Sequence, residues 1–227
     1  MTSSSDPTRK PIAMDVSRVS LRSLTSTVQV DLPEFQIPPA DPFELAAQWI
    51  ARAIDSGARE PGTFALATAD SAGRPSSRFL LLKGFDDTGL LFVSQTTSRK
   101  GSDLASNPHA SASFYWQELR LQLHMYGSVE IIPAAESDAL FAPRPLPSKA
   151  VASVSRQGQD LLDENIFNTE VTKLIAQGNR LDRPDRWVGY RLRPERFEFW
   201  HGAADRMHQR LEYTFEEENW NWRRVQP

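Results

Sequence analysis

The sequence predicts a mainly β fold, a small antiparallel barrel of six or more strands flanked by helices, and three observations carry that prediction. Turn signals at Asp70-Ser71-Ala72-Gly73 and Asp86-Asp87-Thr88-Gly89 separate short apolar runs, the texture of an antiparallel meander. Apolar residues alternate through Ala110, Ala112, Phe114 and Trp116, and further strand-like runs close the chain. Helical segments are inserted among these runs, and no internal repeat is visible.

In chain order, residues 1–30 are rich in Ser and Thr without a sustained period and read as a flexible tail, which leaves 31–227 as a single domain. Residues 32–39 read as an extended, proline-stiffened segment on the surface. The first helix has Asp41 as N-cap, Pro42 at its first position and Glu44 closing a capping box. Phe43, Ala47, Ile50 and Ile54 line its apolar face, and Gly57 ends it in the left-handed conformation. Strands follow at 63–68, 77–83 and 90–94. A short helix at 98–106 stops before Asn107-Pro108 and is followed by the alternating strand and a long strand at 120–132. Residues 134–141 and 159–177 read as helices separated by the proline-rich stretch 143–147. Strands at 187–193 and 196–200, then a hairpin of 210–215 with 220–225, complete the chain.

Composition excludes several classes. Cysteine is absent, which removes disulfides, thiolate nucleophiles and every Cys-based zinc or iron–sulfur site. His109, His124, His201 and His208 are separated and make no metal-ligand spacing, so no metal is expected. No nucleophile elbow, dinucleotide-binding glycine pattern or P-loop is present. A net charge of −3 argues against nucleic acid as a partner. No apolar run approaches the roughly 20 residues that span a bilayer, and the first thirty residues lack a signal segment, so a cytoplasmic protein without a membrane partner is expected. Of the 26 cations, 21 are Arg, which reflects either codon bias or recognition of planar anions.

Three constellations can carry chemistry. Thr96-Thr97-Ser98-Arg99-Lys100 places two cations in a first helical turn, where they oppose the macrodipole unless an anion sits there. The segment is either a phosphate cradle or a solvated loop. Arg206-Met207-His208-Gln209-Arg210, if extended, puts Arg206, His208 and Arg210 on one face near Trp200, as a surface ion lattice or as an anion site. Arg78-Phe79-Leu80-Leu81-Leu82-Lys83 reads by itself as a core strand with snorkelling cationic ends.

Taken in order, these pieces resemble the pyridoxamine 5′-phosphate oxidase family of FMN-binding split barrels, over about 33–227. The matching stretches are Arg78 to Lys83, Ser98-Arg99-Lys100, Gln122 five residues before Gly127, Arg144-Pro145, Ser155-Arg156-Gln157, Glu198-Phe199-Trp200, and Arg206-x-His208-x-Arg210. The resemblance implies a homodimer with FMN as cofactor in a cleft between the two subunits. Arg78, Phe79, Leu80, Leu81, Val93, Ser94, Arg99, Lys100, Gln122, Gln157, Trp200 and Arg210 would hold FMN, with Arg99 and Lys100 on its phosphate. Lys83, Arg144, Ser148, Arg206 and His208 would face the substrate, Arg206 and His208 as catalytic residues.

One departure bears on the substrate. Where a vitamin B6 oxidase has a phosphate-gripping tyrosine, four residues before Arg144, this chain has Leu140. A phosphate substrate thereby loses a hydrogen bond of about 1.5 to 3 kcal/mol. Pro33-Glu34-Phe35, Pro38-Pro39-Ala40, Arg59-Glu60-Pro61 and Ala65-Leu66-Ala67-Thr68 look more like the phenazine-biosynthesis branch. That branch implies a reduced phenazine carboxylic acid as substrate, stacked on the flavin, giving up hydride as it aromatises, with O2 as acceptor and H2O2 as product. Arg144 and Arg206 would bind its carboxylate, and His208 would orient it or accept a proton. The alternatives are a pyridoxine/pyridoxamine 5′-phosphate oxidase and a non-enzymatic flavin-binding protein.

Overall fold

Alternating burial organises the chain into one antiparallel sheet. The computed structural model describes residue 24, residues 26–178 and residues 181–227. The expected tail at 1–30 therefore lies largely outside the described residues. Nine strands are described: β1 (Thr63–Ala69), β2 (Pro75–Leu81), β3 (Gly84–Asp86), β4 (Gly89–Gln95), β5 (His109–Trp116), β6 (Leu121–Ile131), β7 (Trp187–His201), β8 (Gln209–Glu216) and β9 (Asn219–Val225). They pair in the order β2-β1-β5-β6-β7-β4-β3, with β8 also on β7 and β9 on β8. The sheet curls: Phe64 on β1 meets Phe92 on β4 with ring centroids 6.3 Å apart, although three strands separate them in that order. Ala110, Ala112, Phe114 and Trp116 all point into the resulting core, as their alternation predicts.

Helix α1 (Pro42–Asp55) is capped by Asp41, whose carboxylate accepts from the Phe43 N–H, and Gly57 follows its end with φ +70°. Glu44 bonds Gln48 and does not complete the expected capping box. The buried face also differs from expectation. Leu45, Ala46, Trp49, Ile50 and Ala53 face the core while Ala47 and Ile54 are exposed, because Trp49 packs against Phe199 at 5.1 Å and turns the helix with it. The segment expected to lie extended on the surface is instead a 3-10 turn (Pro33–Phe35) with Leu32, Glu34 and Phe35 buried. The indole N–H of Trp49 donates to Glu34, which anchors that turn.

Four further helices are α2 (Arg99–Ser106), α3 (Ala134–Phe141), α4 (Leu146–Val154) and α5 (Glu164–Ala176). Helix α4 was hidden in the sequence by its prolines. Pro145 is its N-cap and Pro147 falls in its first turn, where the missing N–H has no helical partner to lose. The two late strands expected at 187–193 and 196–200 are one strand, β7, running through Pro194. A β-bulge on β7 accommodates that proline: Pro194 faces Gly127 and Arg196 faces Tyr126, which leaves Glu195 as the extra residue. Only glycine fits opposite the proline, since a Cβ on Gly127 would lie 1.9 Å from the Arg193 carbonyl oxygen.

Candidate cofactor and substrate cleft

Helix α2 starts where β4 ends, and this junction builds the main cavity. Ser98 caps the helix, accepting from the Gly101 N–H at 3.2 Å. Lys100, only 7% exposed, turns back so that its ammonium donates to Ser94 Oγ at 3.0 Å, Gln157 Oε1 at 3.2 Å and Ser98 Oγ at 3.3 Å. All three acceptors are neutral, and no carboxylate among the described residues comes within ion-pairing distance. Burial, reinforced by the Arg78 charge, pulls the Lys100 ammonium below the ordinary lysine range.

A cavity of about 460 Å³ opens at this ammonium. It gathers Leu80, Val93, Ser94, Lys100, Arg144, Ser148 and Gln157, seven of the residues singled out in the sequence, with Trp187 and Val151 as additional apolar wall. Arg144 also lacks a carboxylate partner among the described residues. Its guanidinium lies 5.2 Å from the Trp187 ring centre, its Nε is buried without a hydrogen bond, and burial lowers its pKa. Two cations without counter-ions on the walls of one half-apolar cavity fit a flat ligand that carries an anionic group.

A second cavity, also about 460 Å³, shares Arg144 and Ser148 with the first and adds Lys83 and Leu140. The residues assigned to substrate by the resemblance, Lys83, Arg144 and Ser148, thus meet the one departure from that pattern. Leu140 packs toward Gly189, where a Cβ would lie 3.2 Å from it, and belongs to the small core of Phe141, Ala152 and Trp187.

Arg78 and Arg99 sit behind Lys100 around buried Asp103. The carboxylate accepts from Thr68 Oγ1 at 2.7 Å, Ser76 Oγ at 2.8 Å and Arg99 Nε at 2.8 Å, and Arg78 approaches to 4.0 Å. Burial opposes ionisation of Asp103, but these hydrogen bonds and the Arg99 charge outweigh it and hold its pKa below the ordinary value. Arg78 also donates to the Leu66 carbonyl and the Thr68 hydroxyl. The core-strand reading of 78–83 does not hold. Strand β2 is at the edge of the sheet, and its alternate residues Phe79 and Leu81 are 77% and 54% exposed.

The remaining candidates form a second cluster. Gln122 on β6 faces Trp200 on β7, which faces Arg210 on β8, one row across three strands. Arg210 is held by Glu198 at 2.8 Å, and the His208 ring packs on Trp200 with centroids 4.8 Å apart. Arg206 does not join the extended row anticipated from the spacing. Its φ is +69° in a turn closed by hydrogen bonds from Arg206 N to Ala203 O and His208 N to Arg206 O, and its side chain is exposed. Val93 pairs with Gly189 of β7, and Trp200 lies eleven residues farther along that strand, roughly 35 Å of strand length.

The residues that brace the first cluster form no motif in the sequence. The buried Gln95 amide donates to the Ala152 and Ser155 carbonyls and accepts from the Gln157 N–H, pinning the 155–157 loop beside Lys100. Arg186 also donates to the Ala152, Ser153 and Ser155 carbonyls. Both act through backbone carbonyls, which leave no trace in residue spacing. Gly158, with φ +95°, lets that loop cross the start of α2.

Residues 50–178 match the family model described as pyridoxamine 5′-phosphate oxidase, and residues 187–227 match the pyridoxine 5′-phosphate oxidase C-terminal dimerisation region. The chain is 40% identical over 205 residues to a dihydrophenazinedicarboxylate synthase of Pseudomonas chlororaphis, covering 90% of this chain and 92% of that protein. It is 44% identical over 183 residues to a pyridoxine/pyridoxamine 5′-phosphate oxidase of Paraburkholderia phytofirmans, covering 80% and 86% respectively. Its structure is similar to the crystal structure of PhzG from Burkholderia lata 383 in complex with tetrahydrophenazine-1-carboxylic acid. The TM-score is 0.87 at 39% identity, with 89% of this chain and 100% of that chain covered.

Proposed function

The chain belongs to the pyridoxamine 5′-phosphate oxidase family and is an FMN-dependent oxidoreductase, and from that premise we propose that it oxidises reduced phenazine carboxylic acids. The observation that carries the reading is the cavity pair joined at Arg144 and Ser148: one wall presents buried, unpaired Lys100, the other presents Lys83 with Leu140. Lys100 fits a phosphate, and the apolar wall of Val93, Val151 and Trp187 fits a ring system.

FMN, when bound, supplies a two-electron acceptor, with O2 as terminal acceptor and H2O2 as product. The protein's residues bind and orient. Lys100, Ser94 and Gln157 take the anionic end of the cofactor, with Arg78 and Arg99 adding positive charge from behind. Arg144 and Lys83 bind the substrate carboxylate, while Leu140 gives apolar contact to a tricyclic ring where a B6 phosphate would want a hydroxyl. Aromatisation drives the reaction, so little acid–base help is required, and His208 on Trp200 orients the substrate or takes a proton. The 44% identity to a B6 oxidase favours a second reading, oxidation of pyridoxine 5′-phosphate.

The residues 187–227 that match a dimerisation region contain Trp200, His208 and Arg210. None of these three lines the Lys100 cavity within one chain. This supports a homodimer in which each FMN is held by Lys100 of one subunit and by Gln122, Trp200 and Arg210 of the other. Exposed Phe79 and Leu81 on β2 suit a covered face. Subunit complementation tests the arrangement. Lys100→Met and Arg210→Gln chains, each poor in FMN binding alone, should on mixing regain it at roughly a quarter of the sites, as random pairing of a two-fold dimer gives. No recovery in demonstrably mixed dimers would refute the shared site.

A further inference from the structure

The row beside the second cluster, two residues along each strand and on the same face, contains groups that the reading above leaves unused. His124 on β6 faces Glu198 on β7, which faces Glu212 on β8. Both carboxylates are buried. Glu198 holds Arg210, a cofactor candidate, by the 2.8 Å bond already described. His124 does the equivalent for Gln122.

The His124 ring makes two hydrogen bonds. Its Nδ1 lies 2.9 Å from Ser113 Oγ and its Nε2 lies 3.1 Å from Gln122 Oε1. An amide oxygen can only accept, so Nε2 carries the proton; a hydroxyl can donate, so Ser113 completes the neutral ring at Nδ1. Burial disfavours the imidazolium, opposed by Glu198 and assisted by the Arg210 and Arg196 charges. With its oxygen engaged, Gln122 has only its amide nitrogen to offer, and that nitrogen has no hydrogen-bond partner among the described residues.

We propose that His124 is a positioning residue: it ties down the amide oxygen of Gln122 so that the two amide N–H groups face the flavin. The inference rests on the placement of Gln122 at the cofactor given above. An isoalloxazine presents carbonyl oxygens and ring nitrogens that accept hydrogen bonds. An unrestrained Gln122 can turn its oxygen toward these acceptors, where it repels them. A fixed donor there also favours the electron-rich reduced flavin, so losing it lowers the reduction potential as well as the affinity.

The test is a double-mutant cycle on the full-length protein, read by FMN dissociation constant and by flavin reduction potential. His124→Leu should weaken FMN binding about 3- to 10-fold, the worth of one net hydrogen bond, and lower the potential. His124→Gln, whose amide N–H reaches the position of Nε2, should recover most of both. In a Gln122→Ala background, His124→Leu should add nothing. An equal loss in both backgrounds, or His124→Gln as impaired as His124→Leu, overturns the proposal. Gln122→Ala weak but His124→Leu normal overturns the proposal alone, whereas Gln122→Ala binding FMN like the wild type overturns the placement of Gln122 and the proposal with it.

Discussion

Replacing Lys100 by Met should weaken FMN binding while leaving the fold of the cofactor-free protein intact. The ammonium is buried among Ser94, Ser98 and Gln157 with no carboxylate, so its charge is a cost to the cofactor-free protein and a benefit only once an anion arrives. The two serines keep partners without it: Ser94 and Ser98 hydroxyls lie 3.3 Å apart, and Ser98 donates to the Gln95 carbonyl at 2.7 Å. Cofactor-free stability should therefore change by less than about 1 kcal/mol. Loss of a charged hydrogen bond to phosphate, about 1.5 to 3 kcal/mol, weakens FMN binding about 10- to 150-fold. A pH signature accompanies this. The folded-state pKa of Lys100 lies below the ordinary lysine value of 10.5, so between the two the unfolded chain holds a proton that the folded one has released. Stability contributed at this site consequently rises with pH through that window and is flat in Lys100→Met. Urea unfolding of the cofactor-free proteins and fluorescence titration with FMN measure both quantities. Destabilisation by more than about 2 kcal/mol with FMN affinity within about twofold of wild type would instead make Lys100 a structural residue.

Two further substitutions separate the layers of the site. Asp103→Asn, which breaks the buried hub of Thr68, Ser76, Arg78 and Arg99, should cost about 3 kcal/mol at neutral pH. Because the Asp103 carboxyl is held below its ordinary value of 3.8, its contribution is present above that value and is lost as pH falls through the folded pKa. Urea midpoints of wild type and Asp103→Asn should thus converge in acid, and parallel curves would contradict the assignment. Leu140→Tyr restores a hydroxyl beside Lys83, Arg144 and Ser148 and should raise kcat/KM for pyridoxine 5′-phosphate about tenfold or more, by steady-state peroxide assay. An unchanged value would remove Leu140 from substrate selection.

The sequence carried the strands well because their alternation is imposed by a core on one face: Ala110 through Trp116 are buried at every second position, as read. Elements governed by tertiary context were not legible. The prolines at 145 and 147 suggest a break until their place at the start of α4 is known. Continuity of β7 through Pro194 depends on a bulge at Glu195 and on the bare Cα of Gly127 in the neighbouring strand. Seven residues of the motif order line one cavity, but spacing could not divide the rest from them. Lys100 and Arg99 are adjacent, yet one turns into the cavity and the other onto Asp103, because successive side chains leave a helix about 100° apart. Arg206 leaves the row for a different reason: a left-handed turn, bearing no glycine, interrupts the period of two.

In the proposed function this cleft takes electrons from a reduced phenazine carboxylate. The decisive assay is anaerobic mixing of the FMN-loaded protein with a dihydrophenazine carboxylic acid, and separately with pyridoxine 5′-phosphate, followed at the flavin absorbance band. Rapid bleaching by the phenazine and slow or no bleaching by the vitamer is the expected result. Rapid bleaching by pyridoxine 5′-phosphate alone would contradict it.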